Sequence, residues 1–269
     1  MLFAGIMTAG ITHAAMSVPS FHAEEIEQEV KYQSLPVAIN RPASVRIPIF
    51  IYHSVRPDFP KETPTQKAFS ITPEFFEEQL IYLKNNGYTP ISLDELAREV
   101  NTGTTTPIAK PVVLTFDDGW QNEYVYAFPL LQKYGFIATF FIYSNPIGRD
   151  PRFMTWEEIR HVHDSGMTIG DHTLSHPYLR HLTPDQLQKE IMGGKKALEE
   201  KLGVTIAHFA SPFGYTSSEL VNLLRTDGFS TARTTYSGTH HAPEDLLRLT
   251  GFLVNRRMHD FIWALEFAN

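Results

Sequence analysis

Two aspartates stand side by side at the end of an apolar run, Val112-Val113-Leu114-Thr115-Phe116-Asp117-Asp118-Gly119-Trp120, with no basic residue among them. Like charges at the end of a buried strand repel and lose hydration, so something must compensate, and a bound cation would. Further along, His172 and His176 are four apart in Asp171-His172-Thr173-Leu174-Ser175-His176-Pro177. That spacing brings both imidazoles to one face of a helix or of a strand. With 12 histidines in the chain, such a pair alone is a weak motif. Two imidazoles and one carboxylate together, however, form a three-ligand set for catalytic zinc, leaving one position open for water and substrate. The second aspartate is then free to act as general base. Neighbours on an extended chain point different ways, so one carboxylate can face the ion while the other faces the water. The competing structural role for the pair is capping of a following helix.

The elements that must hold these residues can be read from residue 46 onward. Short apolar runs over 46–52, 111–116, 137–143, 168–171, 206–210, 229–233 and 249–254 predict seven strands. Helical patterns lie between them. One opens at Thr72-Pro73 and closes near Gly87, another opens at Thr183-Pro184 and closes at Gly203, and two more end in glycine at Gly166 and Gly228. Alternating strands and helices predict parallel βα units, and no glycine-rich dinucleotide fingerprint follows the first strand. The expected fold is α/β, a closed or nearly closed (β/α) barrel, in which chemistry gathers at the carboxyl ends of the strands. Those ends carry Tyr52-His53-Ser54, Asp117-Asp118-Gly119-Trp120, Asp171 to Pro177, and Ser211-Pro212-Phe213-Gly214-Tyr215. Trp120, Tyr143, Phe213 and Tyr215 are candidates to stack on sugar rings, with Trp120 and Tyr215 just past strand ends.

Composition narrows the classes. A net charge of −7, without a long basic run, argues against nucleic acid as a partner. With no cysteine, disulfides, thiolate ligands and a cysteine nucleophile are all excluded. Residues 1–23 begin with an apolar stretch too short to span a bilayer and read as a signal peptide, although the first Lys or Arg is Lys31. Residues 24–45 read as a polar linker and 46–269 as the catalytic domain. Secretion or a periplasmic location is the expectation.

The motifs resemble those of the polysaccharide deacetylases with a NodB homology domain, carbohydrate esterase family 4. Thr115-Phe116-Asp117-Asp118-Gly119 matches the first family motif, and His172-Thr173-Leu174-Ser175-His176 the second. The resemblance implies a distorted (β/α) barrel of about seven parallel strands. It implies Asp117 as general base and Asp118, His172 and His176 as ligands of a divalent metal, zinc first, with cobalt or nickel as alternatives. Pro212 and Phe213 match part of the third motif, making the Phe213 N–H the expected oxyanion donor. The family's arginine, which pairs with the base, falls on Ala210 here, leaving Asp117 without that partner. The histidine that protonates the leaving amine is not legible either: His53, His240, His241 and His259 are the candidates. His53 is equally a substrate contact, alongside Trp120, Pro212 and Tyr215.

The resulting expectation is a metal-dependent hydrolase removing N-acetyl groups from N-acetylhexosamine residues of an envelope or extracellular polysaccharide. The alternatives are an O-acetyl esterase, an amidase acting on a small molecule, and a non-catalytic carbohydrate-binding barrel. A glycosidase is excluded, because adjacent aspartates cannot flank a scissile bond from opposite sides.

Overall fold

The computed structural model describes residues 44–102 and 108–267. The expected signal peptide, and the expected linker up to residue 43, lie outside the described residues. Among the described residues twelve strands run in order: β1 (Val45–Arg46), β2 (Ile49–Tyr52), β3 (Ser54–Val55), β4 (Ser70–Ile71), β5 (Thr89–Pro90), β6 (Pro111–Asp118), β7 (Thr139–Ile142), β8 (Thr168–Asp171), β9 (His208–Ala210), β10 (Thr231–Arg233), β11 (His240–His241) and β12 (Phe252–Leu253). The α-helices are α1 (Pro64–Ala68), α2 (Pro73–Asn85), α3 (Leu93–Thr102), α4 (Phe128–Tyr134), α5 (Trp156–Asp164), α6 (Pro184–Leu202), α7 (Ser218–Thr226) and α8 (Met258–Phe267). Among the described residues no helix is long and apolar enough to cross a membrane.

Seven strands form one parallel sheet in the order β10-β9-β8-β7-β6-β2-β12, and β5 pairs with the start of β6. The sheet curls: an isolated parallel bridge joins Arg233, at the end of β10, to Leu249, just ahead of β12. It is thus a curled half-barrel rather than a continuous closed ladder. Strands β2 and β7 are buried throughout, and β6 is buried at every residue but its two ends, as parallel strands covered on both faces must be. Tyr52, Phe116 and Phe140 stack across β2, β6 and β7 at centroid spacings of 5.0 and 4.8 Å.

The helix starts follow from the chemistry of their caps. Thr72, Thr155, Thr183 and Ser217 each accept a hydrogen bond from the backbone three residues on, and Pro73 and Pro184 fill first-turn positions that need no donor. Gly203 ends α6 in the left-handed region at φ 73°. Two boundaries differ from the sequence pattern. The expected strand 46–52 is broken at Pro48, which has no N–H for a ladder, so Val45–Arg46 pairs with β11 instead. The first described strand therefore begins at Val45, one residue ahead of the expected strand. Conversely β6 runs on through Asp117 and Asp118, whose backbones pair with Phe141 and Ile142 of β7.

Candidate active site

Asp118 ends β6 with φ 87°, a conformation unfavourable for any residue with a Cβ. The turn aims its Oδ1 at two imidazoles, 3.6 Å from His172 Nε2 and 3.4 Å from His176 Nε2. Its Oδ2 accepts a hydrogen bond from the Trp120 indole N–H at 2.8 Å. The His172 Nδ1–H donates to the Ala210 carbonyl at 2.6 Å, which fixes the tautomer and leaves the Nε2 lone pair facing Asp118. Burial pushes His172 down to about 3 and also lowers His176, so both rings are neutral donors at neutral pH.

Asp118, His172 and His176 each offer one donor atom, all within 4.8 Å of one another. The two carboxylate–imidazole separations are close to the roughly 3.4 Å edge of a tetrahedron with bonds of about 2.1 Å. Burial raises Asp118 above the ordinary carboxylate range, with His53 opposing the rise and Asp117 adding to it. A divalent ion would reverse that. The donor set therefore fits a zinc-like cation in chemistry and in spacing.

Asp117 faces the other way and is 2% exposed. Its Oδ1 pairs with Arg233 Nη2, and its Oδ2 lies 4.0 Å from His53 Nε2. Burial alone would raise this carboxyl, but the Arg233 guanidinium, with help from His172 and His53, outweighs it and holds Asp117 below its ordinary value. Asp117 is therefore ionised at neutral pH although it is almost shut off from solvent. The pair also reports on the fold. Arg233 ends β10, four strand steps from β6, about 19 Å across a flat sheet, so only curling brings the two into contact.

One cavity of about 740 Å³ holds His53, Asp117, Asp118, His172, His176 and Phe213. Phe213, 61% exposed, packs its ring edge-on to His176 at 4.9 Å. Strain concentrates here. Of the six described non-glycine residues with positive φ, four are Asp118, Thr173, His176 and Phe213. Each such conformation costs about 1–3 kcal/mol and persists only where the surroundings enforce it.

The family model described as polysaccharide deacetylase matches residues 104–232. Among solved structures, the Streptococcus pyogenes deacetylase PplD in complex with acetate superposes with a TM-score of 0.77 at 26% identity, covering 82% of this chain and 99% of that one. In sequence and in fold the chain is similar to polysaccharide deacetylases. YxkH of Bacillus subtilis (strain 168), named for the same family, is 28% identical over 225 residues, which is 84% of this chain and 76% of that protein. The peptidoglycan-N-acetylglucosamine deacetylase of Bacillus cereus is 28% identical over 137 residues, or 51% of this chain and 60% of that protein's length.

The residues singled out from sequence fall into two groups. Asp117, Asp118, His172, His176, His53, Trp120 and Phe213 all line the one cavity. Pro212 and Tyr215 do not. Pro212 is buried at the start of a 3-10 turn, Pro212–Gly214, and the turn carries Tyr215 away to pack near Arg180. Trp120 stacks on Phe153 at 4.3 Å and spends its N–H on Asp118, so it holds that carboxylate as well as lining the cavity. The other three acid candidates are elsewhere: His240 and His241 pair with β1, and His259 is exposed on α8 beside Asp260. Arg233 was the residue the sequence did not reveal. Its only signal was an arginine ending a strand that otherwise reads as buried.

Proposed function

We propose that the chain is a metal-dependent N-deacetylase acting on N-acetylhexosamine residues of an envelope or extracellular polysaccharide. The observation that carries this reading is Asp117, held ionised by Arg233 and adjoining the Asp118–His172–His176 donor set. A divalent cation bound by those three residues, zinc by preference, supplies Lewis acidity and acidifies water. Asp117 Oδ2 takes the proton of the attacking water. A C–O bond forms at the acetamide carbon, and the backbone N–H of Phe213 is the candidate donor to the oxyanion. His53 then protonates the nitrogen as the C–N bond breaks, releasing acetate and a free amine. What favours His53 over the other histidines is its presence in the cavity and its 4.0 Å approach to Asp117 Oδ2. The relatives' names, one of them specifying peptidoglycan N-acetylglucosamine, support the choice of acyl group and sugar. The apolar opening of the sequence supports export.

The test uses protein stripped by chelator and reloaded with zinc, assayed for acetate release from N-acetylglucosamine oligomers. Metal-restored release that disappears in Asp117→Asn, with zinc still bound near one per chain, is the expected result. Release that persists in Asp117→Asn would remove the base. No release, despite bound zinc, would turn the reading toward another acyl substrate.

A further inference from the structure

Helix α6 carries a local conflict that its own stability does not explain. Gly193 and Gly194 stand side by side in its interior, in Lys189-Glu190-Ile191-Met192-Gly193-Gly194-Lys195, where glycine is among the poorest helix formers. What they face is the segment between His172 and His176. A Cβ on Gly193 would meet the Leu174 side chain at 3.1 Å, and one on Gly194 would stand 2.8 Å from the Thr173 carbonyl oxygen. The helix therefore lies with bare backbone against this loop, at a distance that only glycine allows.

Glu190 precedes the two glycines by three and four residues, which puts it on the same face of α6. Its Oε2 accepts from the Ser175 N–H at 2.9 Å and its Oε1 from the Ser175 hydroxyl at 2.8 Å. Its backbone carbonyl accepts from the Leu174 N–H at 2.9 Å. One residue of the helix thus holds two successive peptide groups of the loop. The remaining anchors act further upstream or within the loop. The Ser144 and Asn145 N–H groups donate to the Thr173 and Leu174 carbonyls at 3.3 and 2.9 Å, and Thr173 Oγ1 accepts from the His176 N–H at 3.0 Å. None of these reaches Ser175, the residue directly before His176. Thr173 and His176 both sit at positive φ, 72° and 59°, and such backbone persists only where its surroundings hold it.

We propose that Glu190 is a positioning residue: from α6 it clamps Ser175 and so fixes where His176 presents its Nε2 beside Asp118 and His172. His172 is fixed separately, through its Nδ1–H and the Ala210 carbonyl, so the effect falls on His176. The inference rests on reading Asp118, His172 and His176 as the metal site of a deacetylase, and it adds an element to that site. Affinity for the cation is set in part by a helix that contributes no ligand, and the paired glycines let Glu190 reach the loop.

The experiment takes the full chain with Glu190→Ala, Glu190→Gln, Ser175→Ala and the double variant Glu190→Ala/Ser175→Ala. It measures zinc affinity by chelator competition, thermal unfolding of the metal-free proteins, and acetate release from N-acetylglucosamine oligomers. Glu190→Ala should weaken zinc binding about tenfold or more, the scale for a group that orients a ligand without touching the ion. Its metal-free melting midpoint should move little, because Glu190 is only half-buried and Ser175 is exposed. Glu190→Gln keeps an acceptor for the Ser175 N–H and should recover most of the affinity. The double variant should bind zinc no more weakly than Glu190→Ala, since the Ser175 hydroxyl acts through Glu190 alone. Unchanged zinc affinity in Glu190→Ala, additive losses in the double variant, or losses that track a fall in the metal-free melting midpoint would overturn the clamp. Zinc affinity that falls as expected, with no acetate release even from the wild type, would uphold the clamp and refute the deacetylase reading instead.

Discussion

Replacing Arg233 with methionine should strand Asp117 as a buried, uncompensated carboxylate. The two side chains are 1% and 3% exposed, so water cannot take the place of the guanidinium. Removing one partner from such a pair costs about 3–5 kcal/mol. For a domain of this size that corresponds to a fall in the melting midpoint on the order of 10 °C. The double variant Arg233→Met/Asp117→Asn leaves no stranded charge and should be more stable than Arg233→Met alone, with a coupling of roughly 2 kcal/mol or more in the cycle. Activity gives an independent reading. Without Arg233, burial dominates and raises the base above the ordinary carboxylate range, so the acidic limb of kcat/KM should move to higher pH by about 1–3 units. Arg233→Lys should recover part of that shift. Thermal unfolding of the four proteins in the cycle decides the stability claim. Costs that simply add, or an Arg233→Met penalty below about 1 kcal/mol, would mean that the pair does not persist in solution.

Trp120→Phe keeps the ring on Phe153 and removes only the N–H bonded to Asp118 Oδ2, so zinc affinity measured by chelator competition should fall about 10–100-fold. Gly194→Ala should destabilise despite alanine's better helix propensity, because a Cβ there would stand 2.2 Å from Asp171 Oδ1 and 2.8 Å from the Thr173 carbonyl oxygen. Urea unfolding would detect the loss. His241 is buried, its Nε2–H donating to the Ile47 carbonyl, and burial pushes it from 6.5 down to about 4. Its folded value lies below its unfolded one, so its contribution is complete above pH 6.5 and is lost as pH falls from 6.5 toward 4. Between pH 7 and pH 4 the wild type should lose about 3 kcal/mol more than His241→Gln, which retains a donor; equal losses would refute the assignment.

The candidate metal-binding cluster was legible because its signal is local. Asp117-Asp118 follows directly on an apolar strand, and His172 and His176 lie within five residues of each other, so composition and spacing sufficed. The partner of Asp117 was not, because Arg233 is 116 residues away and reaches it only through the curl of the sheet, which strand patterns do not encode. Tyr215 stands outside the cavity for the opposite reason. Its distance from the strand end was right, but the 3-10 turn at Pro212–Gly214 redirects the chain before reaching it. Seven strands were legible from apolar runs, whereas the two-residue strands β3 and β4 are too short to show a period.

The left-handed backbone at Asp118, Thr173, His176 and Phe213 sets the domain's interests against each other. At Phe213, glycine would adopt φ 57° without a steric penalty, and the ring that leaves is mostly in solvent, so little packing is lost with it. Variants chosen only for resistance to heat should therefore collect changes at the mouth of the cavity, and should do so at the expense of turnover. A stabilised form of this protein is best sought on the far side of the sheet, among the caps and loops that touch neither the aspartates nor the histidines.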